Sequence, residues 1–273
     1  MLYFYQYLHT SVLVCLYNKS YLQEVKNYFL IYSKIPMRYC NTMFYYEDKM
    51  KNIAKHDRES NRDYALRVIR ENIINLELKP GTMISEQDIA NELNLSRTPV
   101  HEAMQELSTT KIIEILPQRG SYVSKIDMDR VDEAVFMRTT LESAIAELAC
   151  EKASDDDIME LEENINLQEF YLTKNNLDKF MELDNAFHQT MYRIANKMQC
   201  FYMVKLMNIH HDRVRELHLH SSDPKTVIAE HKEILEAFKQ HNGKKAHDLL
   251  VTHITRLYQQ QGEIRKKYPE FFA

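Results

Sequence analysis

Apolar residues recur at helical spacing through most of the chain from residue 64 onward. Tyr64, Ala65, Val68, Ile69, Ile73 and Leu76 form one stripe and predict a helix over 64–76. Pro80-Gly81 ends the connection, and Ser85 with Asp88 three residues later resembles a capping box that opens a short helix through Leu93. Asn94 makes a turn. Ser96 is placed to cap a third helix over 97–109, with Pro99 tolerated in its first turn and Val100, Ala103, Met104 and Leu107 facing inward. Two β-rich stretches, 112–116 and 121–123, then flank Pro117-Gln118-Arg119-Gly120 and predict a hairpin. From Asp127 on, helical patterning resumes over 128–153, 155–173, 177–196, 200–220, 225–241 and 244–267, with few breakers between. The expected fold is mainly α: an N-terminal winged helix-turn-helix over 58–125 plus a C-terminal all-α antiparallel helical bundle over 127–267.

Composition agrees with two modest domains. The chain has 273 residues, 44% hydrophobic and 27% charged, and only 4 Gly and 6 Pro, which favours long helices over a turn-rich β fold. A net charge of −5 excludes a basic coat, so any DNA contact must come from a local patch. Cys15, Cys40, Cys150 and Cys200 form no CxxC pair, which points to a reducing, cytoplasmic setting.

Residues 1–49 stand apart. They hold ten of the 17 tyrosines, and apolar runs such as 11–17 are too short for a membrane span. A signal peptide fits poorly, because Gln6, His9 and Asn18 interrupt an h-region. Tyr46-Glu47-Asp48-Lys49 can be encoded with a purine-rich GAGG just ahead of Met50. Translation is therefore expected to start at Met50, leaving 1–49 a non-native upstream extension or a disordered one.

Two short amphipathic helices joined by a tight turn make a helix-turn-helix, whose second helix offers its N-terminal residues to the major groove. Those residues are Ser96, Arg97, Thr98 and His101. Arg97 suits guanine edges or phosphate, and Ser96 and Thr98 suit phosphate oxygens. Arg119 and Gly120 at the hairpin tip suit the minor groove or phosphate. A small helical domain with an ordinary surface arginine has the same periodicity, so the pattern alone leaves both readings open.

In the bundle region, polar residues sit where apolar ones belong. Asp184 and His188 lie one turn apart, flanked by Leu183, Phe187 and Met191. His231 lies among Ile228, Ile234, Leu235 and Phe238, and His253 among Leu249, Leu250 and Ile254. One carboxylate and three imidazoles inside a bundle suit a divalent first-row metal. Taken singly, an inward histidine is more often a hydrogen-bonded core residue, and spacing leaves that alternative open.

The run PGTMISEQDIANELNLSRTPVHEAMQEL, followed by ILPQRGSYV, closely resembles the GntR superfamily of winged-helix repressors. That family usually has Arg at the place of His101 and often a basic residue near Gln87, so DNA affinity here is expected to depend on pH. The segments VFMRTTLESAIAELA, LDNAFHQTMYRIA and EHKEILEAFKQHNGKKAHDLLVTHI resemble the FCD effector domain of the FadR-like branch. The resemblance implies that Asp184, His188, His231 and His253 hold one divalent ion per chain: zinc, nickel or manganese. It also implies that Arg138 grips the carboxylate of a small organic or sugar acid effector; the alternative for Arg138 is a salt bridge to Glu142. After Ala195 the family's small-Gly-Asn turn reads Asn196-Lys197-Met198. His210, His211, His218 and His220 match no ligand position and are expected mostly on a solvated face.

These readings converge on a ligand-responsive DNA-binding transcription regulator, expected to be a repressor, cytoplasmic, homodimeric and bound to a palindromic double-stranded operator, with no membrane contact. The competing reading is a metal-dependent hydrolase or lyase using the Asp/His cluster. That reading lacks an HExxH-like glutamate to serve as general base and leaves the helix-turn-helix unexplained.

Overall fold

The computed structural model describes residues 50–51, 53–221 and 224–273; the expectations for 1–49 lie outside the described residues.

Helix α1 (Asn61–Ile74) begins at Ser60, whose side chain accepts a hydrogen bond from the Asp63 amide. It therefore starts three residues earlier than the apolar stripe suggests, and it ends before Leu76, which adopts a left-handed φ of 60°. Helix α2 (Glu86–Leu93) is capped by Ser85 on the Asp88 amide, and Asn94 closes it at φ 53°, a conformation asparagine tolerates. Helix α3 (Arg97–Thr109) has the expected bounds. Its N-cap Ser96 has extended backbone but makes no side-chain capping bond, contrary to expectation.

The hairpin of β2 (Ile113–Leu116) and β3 (Gly120–Val123) turns through Gln118 at φ 61° and Gly120 at φ 106°. A strand absent from the sequence reading, β1 (Met83–Ile84), pairs antiparallel with β3, giving the order β1-β3-β2. Two residues show no periodicity, so only the pairing partner reveals this strand.

The C-terminal helices are α4 (Met128–Lys152), α5 (Asp155–Thr173), α6 (Leu177–Ile194), α7 (Met198–Met207), α8 (Ile209–Leu219), α9 (Lys225–Lys239), α10 (Gly243–Gln259) and α11 (Gln261–Lys267), followed by a 3-10 turn at Pro269–Phe271. Two expected single helices are each broken. The 200–220 span divides at Asn208, whose side chain donates to Asp212 Oδ1 (2.6 Å), and the 244–267 span divides at Gln260. Neither break carries Pro or Gly, which is why patterning runs through both. Helices α4 and α10 approach so closely that a Cβ on Gly243 would lie 3.0 Å from the Glu147 carbonyl oxygen.

Two hydrophobic cores result. One gathers Val68, Ile69, Ile89, Val100, Met104, Leu107 and Ile112, and also takes in Ile209 from α8. The other gathers Ala146, Leu161, Ile165, Phe187, Ile234, Phe238 and Leu250. Each fully buried Phe, Leu or Ile contributes about 1.5–3 kcal/mol relative to exposure. Among the described residues no helix is long and apolar enough to cross a membrane.

Candidate metal centre and DNA-reading surface

Helix α3 is anchored by its buried face, so its first turns point outward. Ser96, Arg97, Thr98 and His101 are exposed there, and Arg119 and Gly120 are exposed at the hairpin tip. Glu86, from the first turn of α2, reaches both Arg97 and His101. Arg97 Nε donates to one carboxylate oxygen (2.7 Å), and His101 Nδ1 lies 2.7 Å from the other. Burial pushes the Glu86 carboxyl up, but the hydrogen bonds from His101 and Arg97 outweigh it and hold the group below its usual range. Glu86 therefore ties the start of α2 to the first turns of α3.

The second constellation forms where α6, α9 and α10 converge. Asp184 and His188 come from α6, His231 from α9 and His253 from α10, all buried, with one ligand atom from each within 4.8 Å of the others. Ligands about 2.1 Å from one ion in a tetrahedral site stand roughly 3.4 Å apart, so a contraction of up to about 1.4 Å would seat all four. His231 Nε2 lies 3.6 Å from Asp184 Oδ1.

The outer groups fix which nitrogen faces inward. Gln168 Oε1 is 2.9 Å from His231 Nδ1, and Glu230 Oε2 is 2.7 Å from His253 Nδ1. Each bond assigns the proton to Nδ1 and leaves Nε2 with its lone pair toward the cluster. His188 Nδ1 stands 2.9 Å from Glu142 Oε2, though not aligned as a hydrogen bond. The Nε2 atoms of His188 and His231 are buried without a partner, an arrangement that costs free energy unless something fills the centre.

Charge is set in the same sense. Burial would raise the Asp184 carboxyl, but the Arg215 guanidinium, then the histidines, hold it well below the usual carboxylate range. Burial, followed by the neighbouring His253, pushes His231 well down, and burial pushes His253 down. A buried carboxylate held down by Arg215, grouped with three imidazoles of which burial pushes His231 and His253 down, is a donor set that suits a divalent metal, so these residues fit such an ion.

Beside the cluster opens a cleft lined by Arg138, Asp184, His211, Arg215, His253 and Arg256, with an empty volume of about 540 Å³ including its mouth. Arg138 is not free in it. Its Nε and Nη2 donate to Glu142 (2.7 and 3.1 Å), so the salt-bridge alternative is what the structure contains. Arg215 is the cation that sequence reasoning missed: it pairs with Asp184 Oδ2 and with Asp212 Oδ1 (3.0 Å). Gln168, fully buried beside Ile165 on α5, was the recognisable signal, a polar residue at an apolar position. The expectation of a solvated histidine cluster is also corrected. His210 and His211 are buried and His218 is half-buried, leaving only His220 of the four exposed, because α8 is covered on several sides.

A winged helix-turn-helix joined to a helical bundle with an internal Asp/His cluster defines a two-part DNA-binding regulator. Comparison with known proteins agrees. Residues 64–123 match the family described as bacterial regulatory proteins, gntR family, and residues 133–256 match the FCD domain. The chain is 31% identical over 208 residues to the HTH-type transcriptional repressor RspR of Escherichia coli K12, covering 76% of this chain and 91% of that protein. It is also 31% identical over 217 residues to an uncharacterized HTH-type transcriptional regulator in an unstable DNA locus of Streptomyces ambofaciens, covering 79% and 91%. The solved structure of E. coli McbR/YncC shares the fold, with a TM-score of 0.66 at 20% identity over 74% of this chain and 99% of that one. The chain belongs to the GntR family of transcriptional regulators, with a GntR helix-turn-helix and an FCD domain.

Proposed function

We propose that this regulator is a cytoplasmic, homodimeric repressor that binds a palindromic operator and releases or tightens on it in response to a small carboxylate sensed at a metal ion. Residues 58–125 read DNA, with Ser96, Arg97, Thr98 and His101 in the major groove and Arg119 and Gly120 at the wing. Residues 127–267 sense, with Asp184, His188, His231 and His253 holding one zinc, nickel or manganese ion. The observation that carries this reading is the buried four-donor cluster opening onto a cleft lined by Arg138, Arg215 and Arg256. Such a wall suits an acidic effector, organic or sugar acid, whose carboxylate meets guanidinium groups and the ion together. The chain's own residues bind and orient in this scheme; none is assigned to turn a substrate over. The repressor assignment draws on RspR, which is named as one.

Metal analysis of purified protein tests the reading. About one ion per chain is expected, with a melting temperature that falls on chelation and recovers on metal addition. A metal-free protein whose melting ignores both treatments would sink the sensor and leave the DNA-reading half standing.

A further inference from the structure

The segment joining the reading head to the bundle, 124–127, is gripped from two sides. On one side stands α8. Arg213 Nη1 donates to the Ser124 carbonyl (2.7 Å), and its Nη2 reaches the Lys125 carbonyl (3.5 Å) and His210 Nδ1 (2.9 Å). His210 Nδ1 also accepts the Asp127 amide (3.0 Å). Burial, then the Arg213 charge, lowers His210 to about 3, so this ring is neutral and can accept. On the other side stands the C-terminus. The Ile126 amide donates to the Phe271 carbonyl (2.8 Å), and the Ala273 amide donates to the Ile126 carbonyl (3.0 Å). Phe272, between them, is buried in the bundle core.

Arg213 is an unusual occupant. It is fully buried, and among the described residues no carboxylate forms an ion pair with it. Burial alone pulls it down to about 9. An unpaired buried cation costs stability, and replacing it with an apolar side chain would be the cheaper way to fill the space. What it gains is a grip on two carbonyls of the linker.

The same helix faces the sensing cleft. His211 and Arg215 line it, one turn apart, and Arg215 holds Asp184. His210 and Arg213, at i and i+3, occupy the opposing side toward the linker. Ile209, at the start of α8, is buried in the core of the reading head. Eleven residues of helix span about 16 Å and move as a rigid piece, so a displacement at one face reaches the other.

We propose that α8 is a two-sided lever: His211 and Arg215 register what occupies the metal cleft, while His210 and Arg213, with the C-terminal strap 271–273, hold the 124–127 linker that sets the direction of the DNA-reading head. This rests on the sensing role proposed above for the cleft.

The test uses the full chain, zinc as the probe, amide hydrogen exchange along the linker and operator titrations. In the wild type, zinc should change exchange at Ile126 and Asp127 and shift operator affinity by roughly 5-fold or more. In Arg213→Met, exchange at those two amides should rise about tenfold while the α1 core amides Val68 and Ile69 stay protected, since only the linker opens. Zinc affinity should be unchanged in that variant, and the zinc-dependent shift in operator affinity should vanish. Should Arg213→Met fail to fold, Arg213→Lys keeps the cation, loses the fork and carries the same measurements. Unaltered linker exchange in the variant, or a zinc response equal to wild type, overturns the lever. Zinc that does not bind the wild type overturns the sensing reading and the lever's input with it, while the exchange rates of the variant still decide whether Arg213 holds the linker.

Discussion

A buried histidine becomes a ligand or a core residue according to what fixes its second nitrogen. Gln168 occupies Nδ1 of His231 and Glu230 occupies Nδ1 of His253, which leaves each Nε2 available toward the cluster. Gln168→Leu, which removes the acceptor and keeps the volume, should weaken zinc binding about 10–100-fold, as outer-sphere changes at metal sites do. Isothermal titration reads this directly, and an unchanged affinity would mean that the hydrogen bond serves packing only. Arg138 needs a different experiment from the one its sequence position suggests. Its fork is committed to Glu142, which also stands beside His188. Arg138→Ala should therefore destabilise the bundle by about 3–5 kcal/mol, the cost of leaving a buried charge unpaired. Chemical denaturation showing less than about 1 kcal/mol would place Glu142 in contact with another cation or with water.

Elements carry the DNA chemistry. Helix α3 spends its apolar face on the core, and its exposed first turns are where the proposed operator contacts lie. Arg97→Ala should cost roughly 1–3 kcal/mol of operator affinity if the side chain reads a guanine, and Arg119→Ala should weaken binding evenly across sequences and lower the salt slope. Gel-shift titrations with both variants at wild-type affinity would dismiss this docking mode. Helix α1 depends on a pair at its entrance, where Arg67 donates to both oxygens of Glu59 (2.8 Å each). The hydrogen bond from Arg67 holds the Glu59 carboxyl down to about 2, from an ordinary 4.5. A depressed carboxylate contributes stability above its unfolded pKa and loses it as pH falls through the folded one. The urea midpoint of wild type minus that of Glu59→Gln should thus be positive at pH 7 and shrink between pH 4.5 and 2. A difference that does not vary with pH would assign the effect to packing.

At the scale of the molecule, the exposed apolar side chains matter most. Helix α7 leaves Tyr202, Met203, Leu206 and Met207 exposed along one face, and α4 leaves Phe136 exposed. Large exposed apolar faces mark association sites, and palindromic operators call for a two-fold dimer. For the proposed homodimer, the double change Met203→Glu with Leu206→Glu should give a monomer in sedimentation and sharply reduce operator affinity. A variant that stays dimeric would place the interface on another surface.

What the sequence determined by itself was local. The 3.6 period, with Asn94 and the residues after Ser96, set the bounds of α2 and α3, because capping and periodicity are read within one helix. The inward faces of Asp184, His188, His231 and His253 were equally readable, since each is flanked by its own apolar neighbours. Periodicity says which way a side chain points and not what it meets. The pairing of β1 with β3, the Glu86 bridge to Arg97 and His101, the Gln168 and Glu230 supports, and the burial of His210, His211 and Arg213 all join residues distant in sequence. Whether the Ser96 hydroxyl caps its helix likewise depended on a side-chain rotation that its own identity does not fix. Contacts between separate helices are chosen by how whole faces pack, and that choice is made only when the chain has folded.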